Sequence, residues 1–271
     1  GLINAMTNLT VAQATANTES TVKGWLITKI YTLTGMTIAA SDITVTGFSA
    51  ASSGTASDPI GTNGSFTFTV KLKKTNSAEL TTDSKSVTIT ATQVYLVTVN
   101  ATSNGTVSAD QTALESGKKV TLTISPETGY ELGTLSVYKT DAQTTTVSVS
   151  GTGTTRTFTM PAYNVTVAVS FTKTENQKNI EKAQTLIEGM TNVTVLQTRA
   201  NTMSELQNWM AAEINVLTEM PITVSANDIT ISNLVPAIAG TVSDVTGTNG
   251  SFKFSVKLQK TGTTTINTTV K

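Results

Sequence analysis

Two stretches of this 271-residue chain repeat one another across most of its length. Met6-Thr7-Asn8 returns as Met190-Thr191-Asn192, Val11 and Gln13 as Val195 and Gln197, and Trp25 as Trp209, each 184 positions later. After a two-residue insertion the offset is 186. Asp42-Ile43 then matches Asp228-Ile229, and Gly61-Thr62-Asn63-Gly64-Ser65-Phe66 matches Gly247-Thr248-Asn249-Gly250-Ser251-Phe252. A duplicated unit around an unrelated insert is the signature of a repeat architecture. It predicts three segments: a first copy over 1–92, a different module over 93–174 and a second copy over 175–271.

The copies read as α+β. In the second, Ile180, Ala183, Ile187 and Met190 recur at helical spacing, with Gly189 placed to end the helix. A short strand is expected next, with Val193 and Val195 on one face. Thr202 and Glu205 then have capping-box spacing ahead of an apolar stripe of Leu206, Trp209, Met210, Ile214 and Leu217. The first copy writes that stripe as Val22, Trp25, Leu26, Ile30 and Leu33. Strands follow at Ile43 and Val45, matched by Ile229 and Ile231. Strict alternation comes next in Phe66, Phe68, Val70 and Leu72, matched by Phe252, Phe254, Val256 and Leu258. A last strand is expected at Val87, Ile89 and Ala91, and at Ile266 and Val270 in the second copy. Helices on one face of an antiparallel sheet would bury both patterns. Leu2 and Ile3 align with Leu186 and Ile187, so the first copy opens inside its first helix. Gly1 reads as a cloning remnant, and the native protein is expected to continue upstream.

The segment from about Gln93 to Lys173 reads as all β. Alternating apolar positions are Tyr95, Val97, Val99; Val120, Leu122, Ile124; Leu135, Val137; and Val165, Val167, Val169, Phe171. Gly105, Gly117, Gly129 and Pro161 punctuate them. Asn104-Gly105-Thr106-Val107, Gly117-Lys118-Lys119-Val120-Thr121-Leu122, Pro126-Glu127-Thr128-Gly129-Tyr130-Glu131-Leu132 and Phe158-Thr159-Met160-Pro161-Ala162-Tyr163-Asn164-Val165-Thr166-Val167 resemble the divergent internalin-type B repeat. The resemblance implies a small β-grasp-like module of bacterial surface proteins, a spacer or adhesive role, and no catalytic residues. The flanking copies resemble modules that recur in large surface proteins of Firmicutes. The fold class expected is therefore multidomain, with two homologous α+β modules flanking one all-β module.

Composition narrows the function. Only 13% of residues are charged, against about 25% in typical globular proteins. Thr fills the gap at about one residue in five. Its branched Cβ suits a pleated surface while its hydroxyl keeps the solvent face wet. Equal acidic and basic counts leave no field to steer nucleic acid or an anionic membrane. No apolar run is long enough to span a bilayer as a helix. Cysteine and histidine are both absent, which removes disulfides, the commonest general base and the commonest metal ligand.

The remaining candidates read as structural. Trp25 and Trp209 could stack on sugars, but their stripe positions predict core. Asp58-Pro59-Ile60-Gly61-Thr62-Asn63-Gly64 and Asp244-Val245-Thr246-Gly247-Thr248-Asn249-Gly250 carry too few carboxylates for a calcium loop. Their Asn-Gly pairs predict turns. Asp42 and Asp228 precede strands and lack the second carboxylate that glycoside hydrolysis requires, so a turn or cap is expected. The Asn-x-Ser/Thr triplets at Asn8, Asn104, Asn164 and Asn192 are expected by chance in so Thr-rich a chain. Tyr130, Tyr138 and Tyr163 could line a glycan or peptide surface, although Tyr130 suits a core rim. No phosphate loop, nucleophile elbow or metal-ligand cluster is written in the chain.

No catalytic or metal residues and no cofactor are therefore expected, and no ligand-binding residue is assigned. The reading is a non-catalytic fragment of a secreted bacterial cell-surface protein, Gram-positive and wall-attached, acting in adhesion or as a spacer. Its partners would be host or microbial surface glycans or proteins, with further repeat or catalytic domains in the parent chain. The alternative is a set of accessory, glycan-binding modules of a larger carbohydrate-active enzyme.

Overall fold

A computed structural model of the chain describes residues 1–73, 76–191 and 193–271. Among them it is a β-rich mixed α/β protein with four sheets and three α-helices. It divides into two compact units, one of residues 1–100, 107–124 and 135–168, the other of 101–106, 125–134 and 169–271.

In the first unit, strand β1 (Leu9–Ala12) precedes helix α1 (Glu19–Thr34) and strands β2 (Ile43–Ser49), β3 (Gly64–Leu72), β4 (Leu80–Thr81) and β5 (Lys85–Thr90). Thr18 caps α1 by accepting from the Thr21 N–H, and Gly35 ends it at φ 69°, a left-handed conformation that glycine adopts without strain. Val22, Leu26 and Ile30 are fully buried on the stripe, whereas Leu33 is largely exposed. The sheet runs β1-β5-β3-β2, with β4 on β3. It is not purely antiparallel as the pattern predicts: β1 runs parallel to β5, because α1 and two hairpins separate them in the chain. Phe66, Phe68 and Val70 alternate inward, as predicted, against α1 and Ile43.

Every regular element from Tyr95 to Lys173 is a strand. These are β6 (Tyr95–Val99), β7 (Gly105–Ala109), β8 (Ala113–Leu114), β9 (Lys119–Pro126), β10 (Tyr130–Lys139), β11 (Ala142–Thr146), β12 (Thr155–Thr159) and β13 (Val165–Lys173). They form two sheets, β11-β10-β13-β6-β8 and β12-β9-β7. Here too one pair is parallel, β6 with β13. Val120, Leu122, Ile124 and Val165, Val167 point inward as their alternation requires.

In the second unit, helix α2 (Glu175–Glu188) is followed by α3 (Met203–Asn215), β14 (Ile229–Val235), β15 (Ser251–Leu258) and β16 (Ile266–Asn267). Ile180, Ala183 and Ile187 of α2 and Leu206, Met210, Ala211 and Ile214 of α3 bury against Ile229, Phe254, Val256 and Leu258. Glu205 closes the expected capping box with Thr202. Gly189 follows the last helical residue, but at φ −77° it needs no glycine.

Two expectations fail in the second copy. Val193 and Val195 form no strand, because no segment among the described residues pairs with them as β5 pairs with the matching β1. Ile266 matches Leu80 rather than the last strand. The Val256 N–H donates to Thr268 Oγ1 as Val70 does to Thr82, both at 2.9 Å, which fixes this register. The first copy in turn holds only the last turn of the α2 equivalent, with Ile3 buried where Ile187 is buried. Leu72 is half-buried and Leu80 67% exposed, while Leu258 and Ile266 lie under α2.

Candidate functional site

The two copies share one polar clamp. The Gln13 and Asn17 amides each donate to the Ala51 carbonyl at 3.0 Å, and the Ala51 N–H donates to Asn17 Oδ1 at 2.7 Å. Gln197, Asn201 and Ala237 reproduce all three bonds at 2.8, 3.0 and 2.8 Å. The clamp ties the start of the α1 or α3 segment to the loop that leaves β2 or β14. Sequence reasoning missed it, although Asn17 and Asn201 stand at the same 184 offset as the tryptophans.

Beside the second clamp lies an open groove of about 840 Å³, lined by Val193 to Gln197, Leu234, Gly250 to Phe252 and Lys271 among others. Lys271 is the one charged side chain on its wall. Phe252 and Val195 are half-buried there, whereas their counterparts Phe66 and Val11 are 1% and 4% exposed. Nothing in the sequence pointed to this groove, since its walls match the buried residues of the first copy.

The residues singled out from sequence are scattered. Trp25 and Trp209 are half-buried at the margins of their cores rather than inside them, each leaving part of the indole in water. Asp42 and Asp228 each accept a backbone N–H, from Ala39 and Ser225 at 3.0 and 2.9 Å, and so act as caps of one-turn helices. In the paired loops the positive φ falls on Gly61 and Gly247, at 72° and 62°, and not on the Asn-Gly pairs. A Cβ at Gly61 would meet the Ser52 carbonyl at 2.4 Å, so the turn passes too close for any side chain. Asp244 accepts from Thr246, and among the described residues no three carboxylates converge.

The triplet asparagines serve the backbone. Asn8 and Asn104 take left-handed conformations, and Asn164 Oδ1 accepts from the Leu96 N–H at 2.9 Å. Asn192 lies outside the described residues. The middle tyrosines are all half-buried. Lys139, rather than Tyr138, sits 5.8 Å from the Tyr163 ring, a weak cation–π pair whose ammonium also meets Asp141 at 3.2 Å.

Shifted carboxylates gather in the second copy. The Lys173 ammonium, 2.7 Å away, holds Glu181 below its ordinary range, with help from the Gln177 amide. The same hydrogen bond holds Lys173 above its own. The Thr269 N–H lowers Glu188, the Asn201 N–H and Thr202 lower Glu205, and Lys182 lowers Glu219. Each partner stabilises the ionised carboxylate. Among the described residues no helix is long and apolar enough to cross a membrane.

Neither the curated proteins nor the solved structures compared with this chain include a match. The middle segment does match: residues 95–175, from the first residue of β6 to the first of α2, are similar to the family described as the divergent InlB B-repeat domain.

Proposed function

We propose that this chain is a non-catalytic part of a secreted bacterial cell-surface protein, in which small modules serve adhesion or spacing. The single observation that carries the reading is the match of residues 95–175 to a divergent InlB B-repeat domain. The charge-poor, Thr-rich surface and the duplication around the match support it. In this reading two homologous α+β modules, 1–92 and 175–271, flank the β module at 93–174, on a Gram-positive cell wall. Weak sites repeated along such a protein gain from effective concentration, so single-copy affinity can be modest. Binding of multivalently displayed protein to arrays of glycans and host matrix proteins tests it. A specific hit on a surface glycan or protein supports adhesion, and silence from folded protein, with an extended scattering profile, supports a spacer. Robust turnover in a broad hydrolase screen contradicts both.

A second reading, accessory modules of a larger carbohydrate-active enzyme, is favoured by one feature. The partly exposed indoles of Trp25 and Trp209 offer the kind of face on which sugars stack. Loss of glycan binding in Trp25→Ala and Trp209→Ala, with folding intact, would select it.

A further inference from the structure

Residues 91–94 join β5, the last strand of the first sheet, to β6, the first strand of the segment similar to the B repeat. A short connection between two modules is by default a hinge, because each residue keeps two soft dihedrals. Here four main-chain groups of the connection are held by hydrogen bonds. The Ala91 N–H donates to Asn63 Oδ1 at 2.8 Å, and the Thr92 N–H to Gln13 Oε1 at 3.0 Å. The Thr92 carbonyl accepts from the Gly54 N–H at 2.8 Å, and the Val94 N–H donates to the Pro59 carbonyl at 2.9 Å. Val94 itself is buried.

The partners come from two places. Gln13 follows β1 and belongs to the polar clamp: its amide donates to Ala51, while its oxygen accepts both Thr92 and the Ser53 hydroxyl. Gly54, Pro59 and Asn63 lie in the loop 50–63 between β2 and β3. That loop is shaped by its own contacts. Ser52 and Thr62 pair across it, the Thr55 N–H donates to the Asp58 carbonyl at 2.8 Å, and a Cβ at Gly54 would collide with the Pro59 carbonyl. The second copy builds the same form from different side chains. Ile238 pairs with Thr248, the Thr241 N–H donates to the Asp244 carbonyl at 2.6 Å, and a Cβ at Gly240 would collide with the Val245 carbonyl. The loop's shape is therefore a property of the module, and in the first copy that shape presents a main-chain donor and acceptor to the connection.

We propose that the loop 50–63, with Gln13, is a clasp that locks the joint between β5 and β6, so that the module ending at Thr90 and the strand beginning at Tyr95 turn as one body. Three observations select it. The bonds reach Ala91, Thr92 and Val94, nearly the whole connection. Two of the four use only main-chain atoms of the loop, so they persist through most side-chain changes. Gln13 and Asn63 supply the other two from opposite ends of the module's sequence, tying the joint to its fold. A locked joint serves an adhesive and a spacing protein alike, because a module that cannot swivel presents its neighbour in one direction. It would be found whether or not a glycan or protein ligand is, so the two questions are answered separately.

The test is pulsed electron–electron double resonance on the full chain, which has no cysteine of its own. Spin labels are placed through Lys29→Cys on α1 and Lys119→Cys on β9, both exposed. One narrow distance distribution is expected. Insertion of Gly-Ser-Gly-Ser after Gln93 gives the width of an unclasped joint. Adding Gln13→Ala and Asn63→Ala should widen the distribution at least two-fold toward that of the insertion. Asn63→Ala alone, which leaves the Ala51 clamp intact, should widen it in part. The proposal is overturned if the unmodified chain is already as broad as the insertion, or if the double variant, folded by circular dichroism, keeps the narrow distribution. Should the double variant unfold, Asn63→Ala decides by the same two outcomes.

Discussion

Gln177 turns its side-chain oxygen into the space that Gly129 leaves by having no side chain: a Cβ there would lie 2.5 Å from Oε1. Gln177 is 4% exposed, and the same oxygen accepts the N–H and hydroxyl of Thr264, each at 3.0 Å. Gly129 adds backbone bonds of its own, donating to Gly262 and accepting from Thr174. Its φ of 88° strains any other residue as well. Gly129→Ala should destabilise the second unit by about 1–3 kcal/mol, the usual scale of such backbone strain. Urea denaturation measures this, and coupling with Gln177→Ala shows how much of the loss is the clash.

The polar clamp makes a separate prediction. Asn201→Ala removes the acceptor of the Ala237 N–H and one donor to its carbonyl. A partly buried N–H left without a partner costs about 1–3 kcal/mol. Asn17→Ala should cost a similar amount in the first copy through Ala51. Equilibrium unfolding of both variants checks the equivalence.

Acid should loosen the second copy. Glu181, Glu188, Glu205 and Glu219 all have folded-state pKa values held below the ordinary one. A lowered carboxylate stabilises the fold above the unfolded value, about 4.3, and loses that contribution as pH falls through the folded value. Residue-resolved NMR between pH 6 and pH 2 should show α2 and α3 amides shifting or broadening as the pH falls below that unfolded value. Glu205→Thr, which copies Thr21, should remove part of the acid response at the start of α3.

Matched core substitutions should be unequal. Phe66→Ala empties a site that is 1% exposed and should cost about 3–5 kcal/mol. Phe252→Ala removes a half-buried ring that borders the groove and should cost clearly less. Denaturation midpoints of the two variants decide it.

Much of this fold was legible in the chain because its periodic residues are also its buried ones. Val22, Leu26 and Ile30, and Phe66, Phe68 and Val70, announce one helix and one strand by spacing alone. The capping box at Thr202 and Glu205 was legible for the same local reason. What escaped depends on partners distant in sequence. The parallel β1–β5 pair joins segments with most of a module between them, so no local pattern marks it. Val193 and Val195 carry strand-like alternation, yet alternation makes no strand without a neighbour to bond. Ile266 and Val270 suggested the last strand because they are apolar, whereas the Thr268 hydrogen bond to Val256 sets them one strand earlier. The groove is lined by Val195 and Phe252, whose first-copy counterparts Val11 and Phe66 are core residues, and spacing alone does not distinguish the two settings.

The most direct test of the account is amide hydrogen exchange at Phe66 and Phe252 in the same sample. The account predicts that the Phe66 amide, bonded into β5, exchanges only with opening of its sheet, while the Phe252 amide, facing the open groove, exchanges near the unfolded rate. Equal, strong protection at the two positions would contradict it, because the edge of β15 would then already be paired.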